Sequence, residues 1–341
     1  MHGPPLRWHI DRPHQCASLG DLALESGDVI RDFRHSYATH GKLDAARSNA
    51  VLLCSAITGN HHRLDYLIGS GRALDPGRWF IVAVDPIGNG LTTSPSFSAL
   101  QPRMDFPRFS IRDMVTAQAR LVKEVLGVRR LAAVIGASMG GMQALQWAVD
   151  APIPVDRVVA MTAPARTSAW SVAVNEATRS CLMADPAWNG REFTGNPERG
   201  WRAWFYVQRV LASRSPESLE SATVATAEVA QELAGWHAGW ESRMEAHDFL
   251  YQSWAYDRHD VRRTVTGGYD DDALRRVSAP AILLAPALDL YNPASGVREA
   301  AAAIPNARFV EIPSSHGHQC TSGSDPADVD FLNTRIAEFL A

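Results

Sequence analysis

Ser138 stands in Gly136-Ala137-Ser138-Met139-Gly140-Gly141, between an apolar run, Leu131 to Ile135, and a segment of helical period, Met142 to Val149. This is G-x-S-x-G in the one context where it carries chemistry. A serine at a sharp strand-to-helix turn presents its hydroxyl above the sheet, and the flanking glycines avoid a Cβ clash with the neighbouring strand and helix. The pentapeptide alone would arise by chance in roughly one chain in ten of this size, so the strand before it and the helix after it carry the weight.

A serine hydroxyl is a poor nucleophile until a positioned base takes its proton, and the base needs a carboxylate to orient it. Both partners should follow later strands, in the chain order serine, acid, histidine. Asp289 follows the apolar run Ala281 to Leu284, and Pro313-Ser314-Ser315-His316-Gly317-His318 follows Phe309 to Ile312. Asp289 is the candidate acid and His318 the candidate base, with His316 as the rival. Asp270, Asp271 and Asp272 precede their strand and read as a loop and helix start. The oxyanion that develops on an attacked carbonyl needs two donors, and backbone amides suffice. Met139, after the nucleophile, offers one. Ile57, after the run that begins at Val51, offers the other.

These groups need a parallel sheet to position them. Short β-branched runs recur at Val51 to Ile57, Trp79 to Val84, Leu131 to Ile135, Val155 to Met161, Ala281 to Leu284 and Phe309 to Ile312, with helix-period segments between several of them. One such segment, Ile111 to Leu126, carries an apolar stripe broken only by Gln118. Such alternation predicts an open α/β sheet covered on both faces. Leu22 to Leu24 and Val29 to Tyr37, around Ser26-Gly27, predict an antiparallel hairpin at one edge. The regularity lapses after Ala163-Pro164 and resumes near Ala279-Pro280. In that gap lie seven of the ten tryptophans: Trp170, Trp188, Trp201, Trp204, Trp236, Trp240 and Trp254. The expected organisation is a core of residues 1–165 and 265–341 with a helical insertion at 166–264, packed on its own aromatic centre.

Composition narrows the chemistry. The chain has 341 residues, 46% of them hydrophobic and 21% charged, and a formal net charge of −4. No basic run offers a footprint for nucleic acid or an anionic membrane. Cys16, Cys54, Cys181 and Cys320 are scattered, as reduced thiols would be, rather than paired as a zinc site or disulfide framework. The first residues, Met1 to Trp8, lack a signal-peptide core, and no apolar run is long enough to span a bilayer, so a cytoplasmic protein is expected. There is no G-x-x-x-x-G-K-[ST] or H-E-x-x-H, and Gly69-Ser70-Gly71 and Gly88-Asn89-Gly90 lack the third glycine of a dinucleotide loop. His61-His62, adjacent in the chain, cannot both easily face one ion and read as a surface loop or pocket wall. No cofactor and no metal is expected.

The residues resemble the homoserine O-acetyltransferase group of α/β-hydrolases. The matching words are Ala56-Ile57-Thr58-Gly59, Leu67 to Asp75, Phe106-Pro107 with Ile111 to Val115, the elbow from Gly136 to Ala148, and Asp185 to Gly190. The resemblance implies the α/β-hydrolase fold with a helical lid, a homodimer formed through that lid, and the triad Ser138, Asp289 and His318, because the family's base is the histidine of a Gly-His pair. In members that acetylate homoserine an Asp follows that histidine to hold the substrate ammonium, and here Gln319 stands there. An ungapped alignment likewise sets Phe205 where those members carry an Arg for the substrate carboxylate, with Arg202 or Arg209 able to substitute after a small shift. Asp85 to Pro95 is similar to the segment of the esterase-like relatives. Thr58, Phe205 and Gln319 are therefore the candidate substrate-pocket residues. The expectation is a serine acyl hydrolase for small esters, with small-molecule partners. The runner-up is a CoA-dependent O-acyltransferase using an acceptor other than homoserine, and the third reading is a catalytically silent binding module.

Overall fold

The computed structural model describes residues 8–212, 214–222, 226–238 and 244–341. The expectation drawn from Met1 to Arg7 and the tryptophan at Trp240 lie outside them, as does the side chain of Trp236. The strands are β1 (Gln15–Ala23), β2 (Val29–His40), β3 (Ala50–Cys54), β4 (Phe80–Val84), β5 (Leu131–Ala137), β6 (Val158–Met161), β7 (Ala281–Pro286) and β8 (Ala307–Ile312). They form one sheet in the order β1-β2-β4-β3-β5-β6-β7-β8. β2 pairs antiparallel with β1 and with β4, and the pairs from β4 to β8 are parallel. The open α/β sheet and its edge hairpin are thus as the patterning implies.

Alternation along each central strand divides the core in two. Leu52, Val82, Val134, Ala160 and Leu283 face one layer, and Val51, Leu53, Ile81, Ile135, Val159 and Ile282 face the other. The first layer is covered by α1 (Ile111–Arg120) and α2 (Met139–Asp150), with Trp147 fully buried in it. Ser110 caps α1 in a reciprocal box with Asp113, which fixes where the helix starts.

Between β6 and β7 the described chain is helical: α3 (Ala169–Met183), α4 (Glu198–Val207), α5 (Pro216–Ala222), α6 (Val229–Ala238) and α7 (Ala246–Asp257). Trp201, Trp204, Phe205 and Phe249 pack with Leu182, Phe193 and Leu250 into a separate aromatic cluster, and Trp201, Trp204 and Phe249 meet edge to face. Trp170 is half exposed and lies outside it.

α8 (Ala294–Ala303) joins the first core layer through Val297, Ala300 and Ala301. α9 (Pro326–Leu340) covers the second through Val329, Leu332, Ile336 and Leu340.

Several boundaries move. β3 stops at Cys54 rather than reaching Ile57, because Ser55 Oγ donates to the Asn60 carbonyl and folds the chain into a turn. The helix expected to run to Leu126 passes at Leu121 into a π-helical turn ending at Val125. α2 begins at Met139, directly after the serine, and β6 at Val158, with Val155 making only an isolated bridge to Leu131. All four cysteines are free thiols. No helix among the described residues is long and apolar enough to cross a membrane.

Candidate active site

The register sets the site at one level of the sheet. Cys54 lies opposite Gly136, Ala137 opposite Met161, and Met161 opposite Leu284, so the loops after β3, β5, β6 and β7 leave together. Ser138 occupies the turn between β5 and α2 with φ 55° and ψ −124°, a conformation that costs energy in a non-glycine residue. The surroundings hold it there. Its amide donates to the Met161 carbonyl at 2.8 Å, and its carbonyl accepts from Met142 at 3.0 Å. A Cβ on Gly136 would come within 2.0 Å of the Gly140 carbonyl oxygen, and one on Gly140 within 2.1 Å of the Cys54 carbonyl oxygen. The two glycines are what allow strand, turn and helix to close this tightly.

The hydroxyl of Ser138 meets His318 Nε2 at 2.9 Å, and His318 Nδ1 meets Asp289 Oδ2 at 2.8 Å. All three residues are buried. Asp289 Oδ1 accepts the amides of Tyr291 and Asn292 at 2.9 and 2.8 Å, so both carboxylate oxygens are committed and the side chain cannot rotate freely. Asn292 is held in turn: its Nδ2 donates to the Thr162 carbonyl at 2.7 Å and its Oδ1 accepts from Tyr256 at 2.7 Å. Burial drives the Tyr256 phenol well above its ordinary pKa and keeps it a neutral donor. The Tyr291 ring stands edge-on against the His318 imidazole with centroids 5.0 Å apart. His316, the rival base, is turned away. Its Nδ1 meets Asp328 Oδ2 at 2.9 Å on the half-exposed side of the loop.

Met139 is the first residue of α2, where a helix leaves its amide without an intrahelical partner. Ile57 lies in the turn after β3, half-buried between the first core layer and the aromatic cluster of the inserted helices. The next residue, Thr58, is exposed and takes φ 60°. Its amide donates to Gln252 Oε1 of α7 at 3.2 Å, and Gln252 Nε2 donates to the Ile87 carbonyl at 3.0 Å. Behind the turn, Gln143 Nε2 donates to the carbonyls of Ser55 and Met139, both at 3.1 Å. Gln143 is fixed by Gln118, whose Oε1 accepts Trp147 Nε1 at 2.7 Å. The single polar break in the apolar stripe of α1 thus supports the turn that carries Ser138.

The pocket candidates separate. Thr58 is on the surface beside the turn, Gln319 is half-buried one residue past His318, and Phe205 is buried in the aromatic cluster. The Phe205 ring packs beside Tyr206 and His237, and the Arg209 guanidinium lies 5.4 Å from its centroid. Arg202 is exposed. Burial, reinforced by Arg214, lowers the Arg209 pKa to about 10. His61 and His62 are not a surface loop: both are buried, because each meets its own carboxylate, Asp85 and Asp65, at 2.8 Å. Burial works to raise the Asp85 carboxyl, but bonds from His61 and Ser36 outweigh it and hold the group below its ordinary value. Sequence reasoning missed Gln252, Asn292, Tyr256 and Gln143.

Residues 49–319 match the model of the α/β-hydrolase fold family. The chain is 33% identical over 317 residues to the homoserine O-acetyltransferase of Nostoc punctiforme, covering 86% of this chain and 88% of that one. It is 31% identical over 326 residues to a probable esterase of Corynebacterium glutamicum, covering 91% and 90%. Its structure superimposes on an acetylester hydrolase from Corynebacterium glutamicum with a TM-score of 0.88 and 28% identity, covering 96% of each chain.

Proposed function

The chain belongs to the α/β-hydrolase fold family, in the group shared by homoserine O-acetyltransferases and esterases, and on that premise we propose that it is a serine acyl hydrolase for small acyl esters. The observation that carries this reading is the continuous chain from Asp289 through His318 to Ser138 at 2.8 and 2.9 Å. Ser138 Oγ attacks the ester carbonyl carbon as His318 Nε2 takes its proton. The amides of Ile57 and Met139 bind the oxyanion, and Asp289 stabilises the imidazolium. The tetrahedral intermediate collapses by breaking the bond to the alcohol oxygen, which receives the proton from His318. Water, deprotonated by His318, then attacks the acyl-enzyme; the free acid leaves and Ser138 regains its proton. The helices between β6 and β7 would act as the lid over this pocket.

Hydrolysis rather than transfer to an amino acid is favoured by Gln319, the neutral residue that follows His318. A zwitterionic acceptor gives up the hydration of both its charges on entering the pocket, at several kcal/mol unless each meets an opposite charge. A neutral amide provides no such match for the ammonium. The similarity to acetyltransferases keeps a second reading in view, in which the same acyl-enzyme is loaded from an acyl-CoA and discharged to an acceptor other than homoserine.

A paired assay separates these. Hydrolysis of p-nitrophenyl acetate, labelling of Ser138 by a fluorophosphonate, and no O-acetylhomoserine from acetyl-CoA plus homoserine are the expected results. Efficient acetyl transfer to homoserine would return the chain to the acetyltransferases. Folded protein with no Ser138 adduct would make it a silent binding module.

A further inference from the structure

Away from the triad, the densest group of titratable side chains lies where the segment before β1 crosses the turn after β3. His61 and His62 diverge there, one to Asp85 and the other to Asp65. His9 lays its ring against His62 with centroids 4.0 Å apart. One ligand atom from each of His9, His62 and Asp65 lies within 4.8 Å of the other two. Asp65 is 2% exposed. Its Oδ2 accepts the Ile10 amide at 2.9 Å and meets His62 Nδ1 at 2.8 Å, whereas Oδ1 is buried with no hydrogen-bond partner among the described residues. A dehydrated carboxylate oxygen without a donor is costly, and a cation is the ligand that would repay it.

We propose that His9, His62 and Asp65 form a binding site for one divalent transition-metal ion of the zinc class. Two imidazoles and a carboxylate suit Zn2+ or Co2+ rather than Mg2+ or Ca2+, which prefer oxygen alone. Bonds of about 2.0–2.2 Å set tetrahedral ligands roughly 3.5 Å apart; side-chain adjustment within the 4.8 Å that bounds the three ligand atoms would complete the site, with water in the remaining position. Burial holds the neighbouring His40 below the ordinary histidine pKa, so it adds little positive charge against the ion at neutral pH. Because His9 and Ile10 precede β1 and His62 and Asp65 follow β3, the ion would clip the N-terminal segment to the core. Another group, His316, Asp325 and Asp328, is already committed: Asp325 caps α9 and His316 pairs with Asp328.

The test uses the full chain without a polyhistidine tag, dialysed against chelator and titrated with Zn2+ by calorimetry and with Co2+ by visible absorption. One saturable equivalent, visible bands of four-coordinate Co2+, and a Tm that rises with the logarithm of zinc concentration are expected. His9→Ala should abolish all three while leaving p-nitrophenyl acetate hydrolysis unchanged. Asp65→Asn should weaken binding at least about tenfold, and His316→Ala should leave it intact. No saturable binding below about 100 μM, binding that survives His9→Ala, or binding lost in His316→Ala would each overturn the proposal.

Discussion

Gln252 of α7 ties two loops of the core together, accepting the Thr58 amide at 3.2 Å and donating to the Ile87 carbonyl at 3.0 Å. The residue next to Thr58 supplies one of the proposed oxyanion donors, and Thr58 itself sits at φ 60°, so an inserted helix fixes the aim of a core amide. Gln252→Leu is expected to lower kcat for p-nitrophenyl acetate about tenfold or more with KM little changed. Gln252→Glu, which keeps the acceptor for Thr58 and loses the donor to Ile87, should lie between. A fall in Tm with kcat intact would leave Gln252 a packing residue only.

The two histidines of the β8 loop give the sharpest contrast. His318→Ala should match Ser138→Ala, with a loss of about a thousandfold or more in kcat and folding retained. His316→Ala, which removes contacts with Asp328 and Ser314 and none with Ser138, Asp289 or His318, should keep activity within about threefold. Circular dichroism and steady-state kinetics on the three variants check this. The opposite ranking would move the base to His316.

Gln118 tests the buried relay behind the nucleophile. Gln118→Leu restores the apolar stripe of α1 but strands Trp147 Nε1 and leaves Gln143 without its anchor. Each deprived buried group costs about 1–3 kcal/mol, so urea unfolding should show a loss of about 2–4 kcal/mol despite the more hydrophobic side chain. A stabilised variant would refute the relay.

Asp248 should make stability depend on pH. Burial raises its carboxyl to about 7 against the pull of its bonds from Ser96, with Glu245 adding to the rise. The folded protein therefore holds a proton that the unfolded chain releases near pH 4. Stability falls as pH rises from about 4 to about 7 and levels off above, where the ionised group costs a few kcal/mol. Asp248→Asn should remove this slope and be the more stable form at pH 8. Parallel pH profiles of wild type and variant would refute the assignment.

Local features carried most of what the sequence disclosed. Ser138 follows β5 directly, Asp289 comes three residues after β7 and His318 six after β8, so short loops leave little freedom in where they emerge. The spacing alone left His316 and His318 open, because two residues on one polar loop differ only in which carboxylate each faces. Gln118 was visible as a break in a stripe, without a sign of what it would hold. Gln252 gave no local signal: its meaning depends on how α7 docks on loops over 150 residues earlier in the chain. The same holds for the burial of His61, whose partner Asp85 lies 24 residues away. Phe205 could be aligned in sequence, but only packing reveals that its ring belongs to a closed aromatic cluster.

Gly317, immediately before the candidate base, sits at φ 54° in a slot where a Cβ would come within 3.1 Å of the Leu288 carbonyl and 3.2–3.3 Å of the backbone at Arg214 and Ser215. Ser215 Oγ also donates to the Ser315 carbonyl. The turn bearing the histidine is therefore clamped on one side by the loop that leads to its own carboxylate and on the other by the inserted helices. The inserted segment and the turn that carries His318 share one contact point at Gly317. Residues 214–215 and the turn before His318 are therefore tied by close packing at Gly317 and by the Ser215 hydroxyl, so a shift of that inserted segment is expected to reach the imidazole.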